Sequence, residues 1–122
     1  MKTFFFIALL IVSVFYMSCK DSTDLNPNTA PVAKFSYSPS LIDTTTLVIF
    51  NASASTDVED LTDNLKFSWD FECQMNWTEP SSNPERLFKF TNPGSYEVGL
   101  KVIDSEGWSG EIKKTVIVVD SI

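Results

Sequence analysis

From Pro31 to Val119 apolar residues recur at every second position, in short runs broken by proline, glycine and Asn/Asp turns. No stretch carries the three-to-four spacing of a helical stripe, so the chain has to build its core from strands. Ala33, Phe35 and Tyr37 alternate with Lys34, Ser36 and Ser38, and Val48 and Phe50 oppose Leu47 and Ile49. The clearest run sets Phe67, Trp69 and Phe71 against Lys66, Ser68, Asp70 and Glu72. A shorter one, Arg86 to Phe90, has Phe88 and Phe90 in phase. After the turn at Asn92-Pro93-Gly94, Tyr96, Val98, Leu100 and Val102 alternate with Glu97, Gly99, Lys101 and Ile103. Asp104-Ser105-Glu106-Gly107 is a hairpin signal, and Ile112 to Val119 is the last strand. About seven short strands with such turns predict an all-β fold, an Ig-like antiparallel β-sandwich.

The segment ahead of that pattern has a different character. Lys2 precedes an apolar run from Phe4 to Val12 and from Val14 to Met17, closed by Ser18. A basic start, an apolar stretch and a small residue read as a secretory signal over residues 1–18. The run falls short of the roughly 20 apolar residues of a spanning helix. Cys19 then follows a small residue, and resembles the lipobox of bacterial lipoproteins, in which that cysteine is diacylated and becomes the mature N-terminus. Tyr16 and Met17 stand where that pattern usually has a Leu or Val and a small residue. Lys20-Asp21 resembles the lysine–acid signature of surface-exported lipoproteins of Bacteroidetes type. The resemblance implies a lipid-anchored protein at the outer membrane or cell surface; the plainer alternative is a secreted protein with an incidental cysteine. Residues 19–30 read as the lipidated cysteine and a polar, turn-rich tether, and 31–122 as the domain.

Beyond Ser18 the chain carries eight basic and sixteen acidic residues, a net charge of −8. Such a surface repels nucleic acid and anionic headgroups, so attachment to a membrane calls for a covalent anchor. With Cys19 acylated, Cys73 is left alone; a 19–73 disulfide is the alternative. The core then has to hold the fold unaided.

Four pieces stand in order and in phase: Pro31-Val32-Ala33-x-Phe35; Val48-x-Phe50-x-Ala52-Ser53-x-Ser55-x-Asp57; Trp69-Asp70-Phe71; and Pro93-Gly94-Ser95-Tyr96-x-Val98-x-Leu100-x-Val102-x-Asp104-x-x-Gly107. Together they resemble the PKD (polycystic kidney disease) domain family, over about residues 28–119. That resemblance implies a sandwich used as an extracellular spacer or as an interaction module for proteins or polysaccharides. The family usually follows Trp-Asp-Phe with a Gly-Asp-Gly turn. Here Glu72-Cys73-Gln74-Met75-Asn76-Trp77 stands instead, a longer and more apolar excursion.

Catalysis is not expected. The chain has no histidine, which removes the commonest general base and metal ligand. Cys73 stands beside Glu72 with no neighbouring cation in sequence, which disfavours its thiolate. No phosphate-cradling glycine loop or zinc-type spacing is present. With the last strand running to Val119, no second domain is expected.

From Asp57 to Glu72 six acids face one lysine, Lys66. Sandwich topology brings the start of the first strand, the loop after Asp57 and the end of the strand closing at Asp104 to one pole. Oxygens from three segments can hold a hard cation such as Ca²⁺, which takes six to eight. PKD-like domains of bacterial collagenases are similar, and the resemblance implies Asn28, Asp57, Asp70 and Asp104 as calcium ligands. Asp70 lies several residues into its strand, where capping the following loop is its alternative role. The plainer reading of the cluster as a whole is a solvated loop with Asx turns.

Trp77, in the unusual excursion, and Trp108, at the hairpin tip, are the candidate contact residues for a protein or polysaccharide partner. Each can instead fold over its own hairpin as a lid. The tether joins the pole that holds Asp57, Asp104 and Trp108, so that pole is expected to face the membrane and Trp77 to face outward.

Overall fold

The computed structural model describes residues 27–121. Seven strands form two sheets: β1 (Ser36–Ser38), β2 (Ile42–Asp43), β3 (Val48–Asn51), β4 (Lys66–Asp70), β5 (Glu85–Phe88), β6 (Gly94–Ile103) and β7 (Ser109–Val119). One sheet has the order β1-β3-β5, the other β2-β7-β6-β4. A single turn of 3-10 helix, Thr62–Asn64, interrupts the loop between β3 and β4. This is the anticipated all-β, Ig-like sandwich.

Each alternating run buries the side its pattern assigns. Val48 and Phe50 are buried and Ile49 exposed. Phe67, Trp69 and Phe71 face inward from β4, as do Val98, Leu100 and Val102 from β6. The centre is aromatic. Trp69, 1% exposed, meets Phe35 edge-on at 5.2 Å and stacks against Phe71 at 5.8 Å. Phe50 packs against the indole at 5.7 Å and against Phe71 at 5.1 Å, closing the group. Offset and edge contacts of this kind add to the area term that drives burial. Tyr96 packs on Phe90 and donates its hydroxyl to the Asn92 carbonyl at 2.7 Å, tying β6 to the turn before it.

Two features depart from the alternation. The first strand is split: β1 pairs antiparallel with β3, and past Pro39, which has no amide hydrogen for a ladder, the chain crosses to the other sheet. There β2 runs parallel to β7, with Ile42 opposite Val118. Ile42 and Leu65, both outside the alternating runs, are fully buried. On β4 the outward face is covered as well, since Ser68 and Asp70 are buried. The segment after the excursion explains this. Thr78 donates its amide to the Trp69 carbonyl at 2.9 Å, its hydroxyl oxygen accepts the Trp69 amide at 3.0 Å, and Ser81 pairs with Phe67. The free edge of β4 is thereby closed against foreign strands.

Candidate functional site

The register sets two poles. Ser36 pairs with Asn51, Val32 bridges Thr56, and Lys66 pairs with Ile103. The incoming chain, the loop after β3 and the β6–β7 hairpin therefore share one end, here the tether pole. Ser55 secures the incoming chain there: its buried hydroxyl accepts the Lys34 amide at 3.0 Å and donates to the Lys34 carbonyl at 2.9 Å. Gly110 secures it from the other side, since a Cβ on Gly110 would lie 2.0 Å from the Pro31 carbonyl oxygen.

Asn28, Asp57 and Asp104 meet at this pole. Asn28 donates its side-chain amide to Asp104 Oδ2 at 2.7 Å. Thr29 donates both amide and hydroxyl to Glu59 Oε1, at 3.0 and 2.9 Å. The fold thus takes hold at Asn28, inside the stretch read from sequence as tether. Asp104, 5% exposed, accepts the Glu106 and Trp108 amides on Oδ1 at 2.9 and 2.8 Å. Burial works to raise its carboxyl, but the bonds from Asn28 and from the Trp108, Glu106 and Gly107 backbone outweigh it and hold the group below its ordinary 3.8.

Asp57 Oδ1 accepts the Glu59 and Asp60 amides, at 2.9 and 2.8 Å. Its Oδ2 is buried without a hydrogen-bond partner among the described residues. Asp60, which sequence reasoning passed over, completes the group: it accepts the Ser105 amide at 2.8 Å and the Ser105 hydroxyl at 3.0 Å. Carboxylate oxygens of Asp57, Asp60 and Asp104 lie within 4.8 Å of one another. Three like charges this close, one with an orphaned buried oxygen, form an all-oxygen donor set that fits a hard cation. The signal for Asp60 was its place three residues after Asp57, where an Asx turn folds it back.

Asp70 is not part of this group. It lies four residues along β4 from Lys66, about 13 Å from the tether pole at strand rise. There it is 5% exposed and accepts the Gln74 and Met75 amides at 3.3 and 3.0 Å. It caps the loop at the other end, the distal pole.

The two tryptophans differ. Trp108 is 52% exposed at the tether pole, on a hairpin pinned by Asp104. Trp77 is half-buried. It folds back from the distal excursion onto the outer face of β6, where a Cβ on Gly99 would meet its ring at 3.1 Å. Lys101 Nζ lies 4.4 Å from the ring centroid. Trp77 thus lies along the flank of the sandwich and not at its tip, because Gly99 leaves a seat for it. Cys73 is exposed at the distal pole, its Sγ 3.7 Å from Glu97 Oε2. Cys19 and the leader lie outside the described residues.

Among solved structures, one described as concerning the promiscuous specificity of carbohydrate-binding modules of the β-sandwich superfamily aligns with a TM-score of 0.69 and 34% identity, over 78% of this chain and 36% of its own. The chain therefore spans about a third of that protein's length. The PKD1 domain of Vibrio anguillarum Epp aligns with a TM-score of 0.59 and 26% identity, over 78% of this chain and 100% of its own. The PKD1 domain of the Vibrio cholerae metalloprotease PrtV gives a TM-score of 0.56 and 28% identity, over 76% and 100%. No curated protein matches at a significant level. The PKD domain family itself matches residues 28–119, which takes in every strand and both poles, and the chain belongs to that family.

Proposed function

We propose that this protein is a non-catalytic cell-surface lipoprotein, anchored through Cys19, whose PKD domain works as an interaction and spacer module for an extracellular protein or polysaccharide. The observation that carries this reading is the way the chain joins the fold. Asn28 and Thr29 are hydrogen-bonded to Asp104 and Glu59, so the membrane attachment pulls on the tether pole. The eight residues 20–27 can span at most about 25–30 Å, which biases that pole and Trp108 toward the bilayer without fixing the orientation. The distal pole, with the excursion that stands in place of the family's usual turn, is then the face offered to a partner. The likeness to a structure from work on carbohydrate-binding modules favours a glycan among the partners.

Thiol labelling of intact cells tests the orientation. Native Cys73 reports the distal pole, and Trp108→Cys in a Cys73→Ser background reports the other. With each rate divided by that of the same protein released from the membrane, which cancels intrinsic thiol reactivity, a bulky membrane-impermeant reagent should label Cys73 faster on cells; equal ratios overturn the orientation. A fatty-acid analogue should label the wild type but not Cys19→Ser, and equal labelling removes the anchor.

A second reading is favoured by the orphaned Asp57 oxygen. Asp57, Asp60, Asp104 and Asn28 would hold Ca²⁺, which would neutralise the crowded carboxylates and brace the incoming chain against the hairpin. Calorimetric titration of wild type against Asp57→Asn tests it: heat of binding in both, or in neither, ends the proposal.

A further inference from the structure

The distal pole holds a cavity of about 290 Å³ that neither the tryptophans nor the carboxylate cluster uses. Its floor is Phe71 and Phe88, stacked nearly parallel with centroids 4.2 Å apart. Its rim is polar: Glu72, Gln74, Asn76 and Thr78. Sites for small molecules have this composition, an apolar surface with a few placed donors and acceptors. The volume falls just under their roughly 300–1,000 Å³ range, enough for one ring and not for an enclosed chain.

The rim is held in place before any ligand arrives. Cys73 and Met75 both adopt φ of 55°, the left-handed region that non-glycine residues avoid. The buried Asp70 carboxylate holds the loop in that shape through the Gln74 and Met75 amides. At the far end Thr78 is pinned to Trp69 through both its amide and its hydroxyl. Trp77 is held down between Gly99 and Lys101. Backbone outliers persist where the surroundings over-determine them, and they cluster at ligand sites.

We infer that this cavity is a subsite for a single neutral sugar ring, at the end or on the flank of a glycan. This rests on the interaction role proposed above and gives it a ligand class and an address. A pyranose offers a C–H face, which suits the half-buried Phe88 ring backed by buried Phe71, and a rim of hydroxyls. Carboxylates accept from hydroxyls, and carboxamides both donate and accept. The charge around the cavity selects among sugars. Asp70 and Glu72 line it, and Glu97 stands beside Cys73. Among the residues that line the cavity uronic acids and sulfated sugars would meet only like charge, a specificity by repulsion.

The test is an amide-resolved NMR titration of the soluble Cys19→Ser protein. The probes are cello-, xylo-, manno- and galacto-oligosaccharides, with trigalacturonate as the charged comparator. At least one neutral series should shift the Glu72–Thr78 amides saturably, while trigalacturonate leaves them in place. Glu72 and Asn76 are exposed, so Glu72→Gln and Asn76→Ala should keep the wild-type melting temperature while raising Kd about tenfold, the loss of one good polar contact. Glu72→Gln should also begin to admit trigalacturonate. Shifts centred on Trp108 would overturn the pocket and leave the interaction role standing. Silence from every sugar at millimolar concentration overturns the glycan assignment itself, while Cys73 labelling on cells reports separately on the orientation behind the broader role.

Discussion

Both poles of the sandwich are organised by aspartates that gather loop amides, but they are built from different materials. At the tether pole Asp57 and Asp104 each accept two amides of their own loop. The pole is then closed by bonds between segments far apart in sequence: Asn28 to Asp104, Ser105 to Asp60, Thr29 to Glu59. At the distal pole Asp70 caps its own loop, and most of the bonds that shape it run within residues 68–78, with Cys73 to Glu97 reaching further. One end is an assembly of carboxylates that only the fold brings together; the other is a local, strained loop seated on aromatic rings. The first should respond to charge, cations and anything that moves the incoming chain. The second should respond to single side chains on its rim.

The largest expected effect removes the contrast. Trp69 lies beneath both poles, and Trp69→Ala should cost about 3–5 kcal/mol, the range for a large aromatic lost from a core. Urea midpoints equal within error would show that the two ends stand without it. Next comes calcium. At a free concentration about a hundredfold above Kd it should add ~2.7 kcal/mol, seen as a rise in melting temperature that Asp57→Asn abolishes and Asp70→Asn keeps. A melt identical in chelator and in millimolar calcium sinks the cation reading. Gly110→Ala should cost about 1–3 kcal/mol, the usual range for overpacking, because the new methyl collides with the Pro31 carbonyl. Hydrogen exchange should quicken at Thr29 and at the β6–β7 hairpin and stay unchanged at Gln74 and Met75; the reverse pattern would dissolve the distinction between the poles.

The smallest effect is one of pH. Asp104 is held below its ordinary 3.8 in the folded state. Its ionised form therefore stabilises the fold fully above the unfolded value, and that contribution fades as pH falls through the lower folded value. Wild type should melt above Asp104→Asn at neutral pH, with the gap closing only once pH drops below about 3.9. Asp43, lowered by its bonds from Thr45 and Thr46, is present in both proteins and cancels. A gap that closes already near pH 6 would mean that another group is responsible.

Much of the sandwich was legible because a strand reports its own faces. Phe67, Trp69 and Phe71, or Val98, Leu100 and Val102, declare the buried side by alternation alone. The turn at Pro93-Gly94 and the hairpin after Asp104 declare where strands end. Ile42 and the parallel β2–β7 pair were not legible, because two residues set no period and a change of sheet has no local signature. Nor was the cover on β4: the alternation put Ser68 and Asp70 on an open face, and the later segment from Trp77 to Ser81 buries them.

The same division runs through the candidate sites. Local pattern was enough to bring Asn28, Asp57 and Asp104 to one pole, since antiparallel connectivity decides which loops share an end. It could not choose Asp60 over Asp70, because that choice depends on an Asx turn folding one carboxylate back toward Ser105 while another turns to cap Gln74 and Met75. Nor could it decide that Trp77 lies down on Gly99 while Trp108 stands half in solvent. Alternation, turns and charge are properties of neighbours along the chain, so the sequence by itself determined the class of fold, most of the core and the acidic character. Which oxygens converge, which aromatic is spent on packing and where a cavity opens depend on residues up to 76 apart meeting in space, and only tertiary packing decided those.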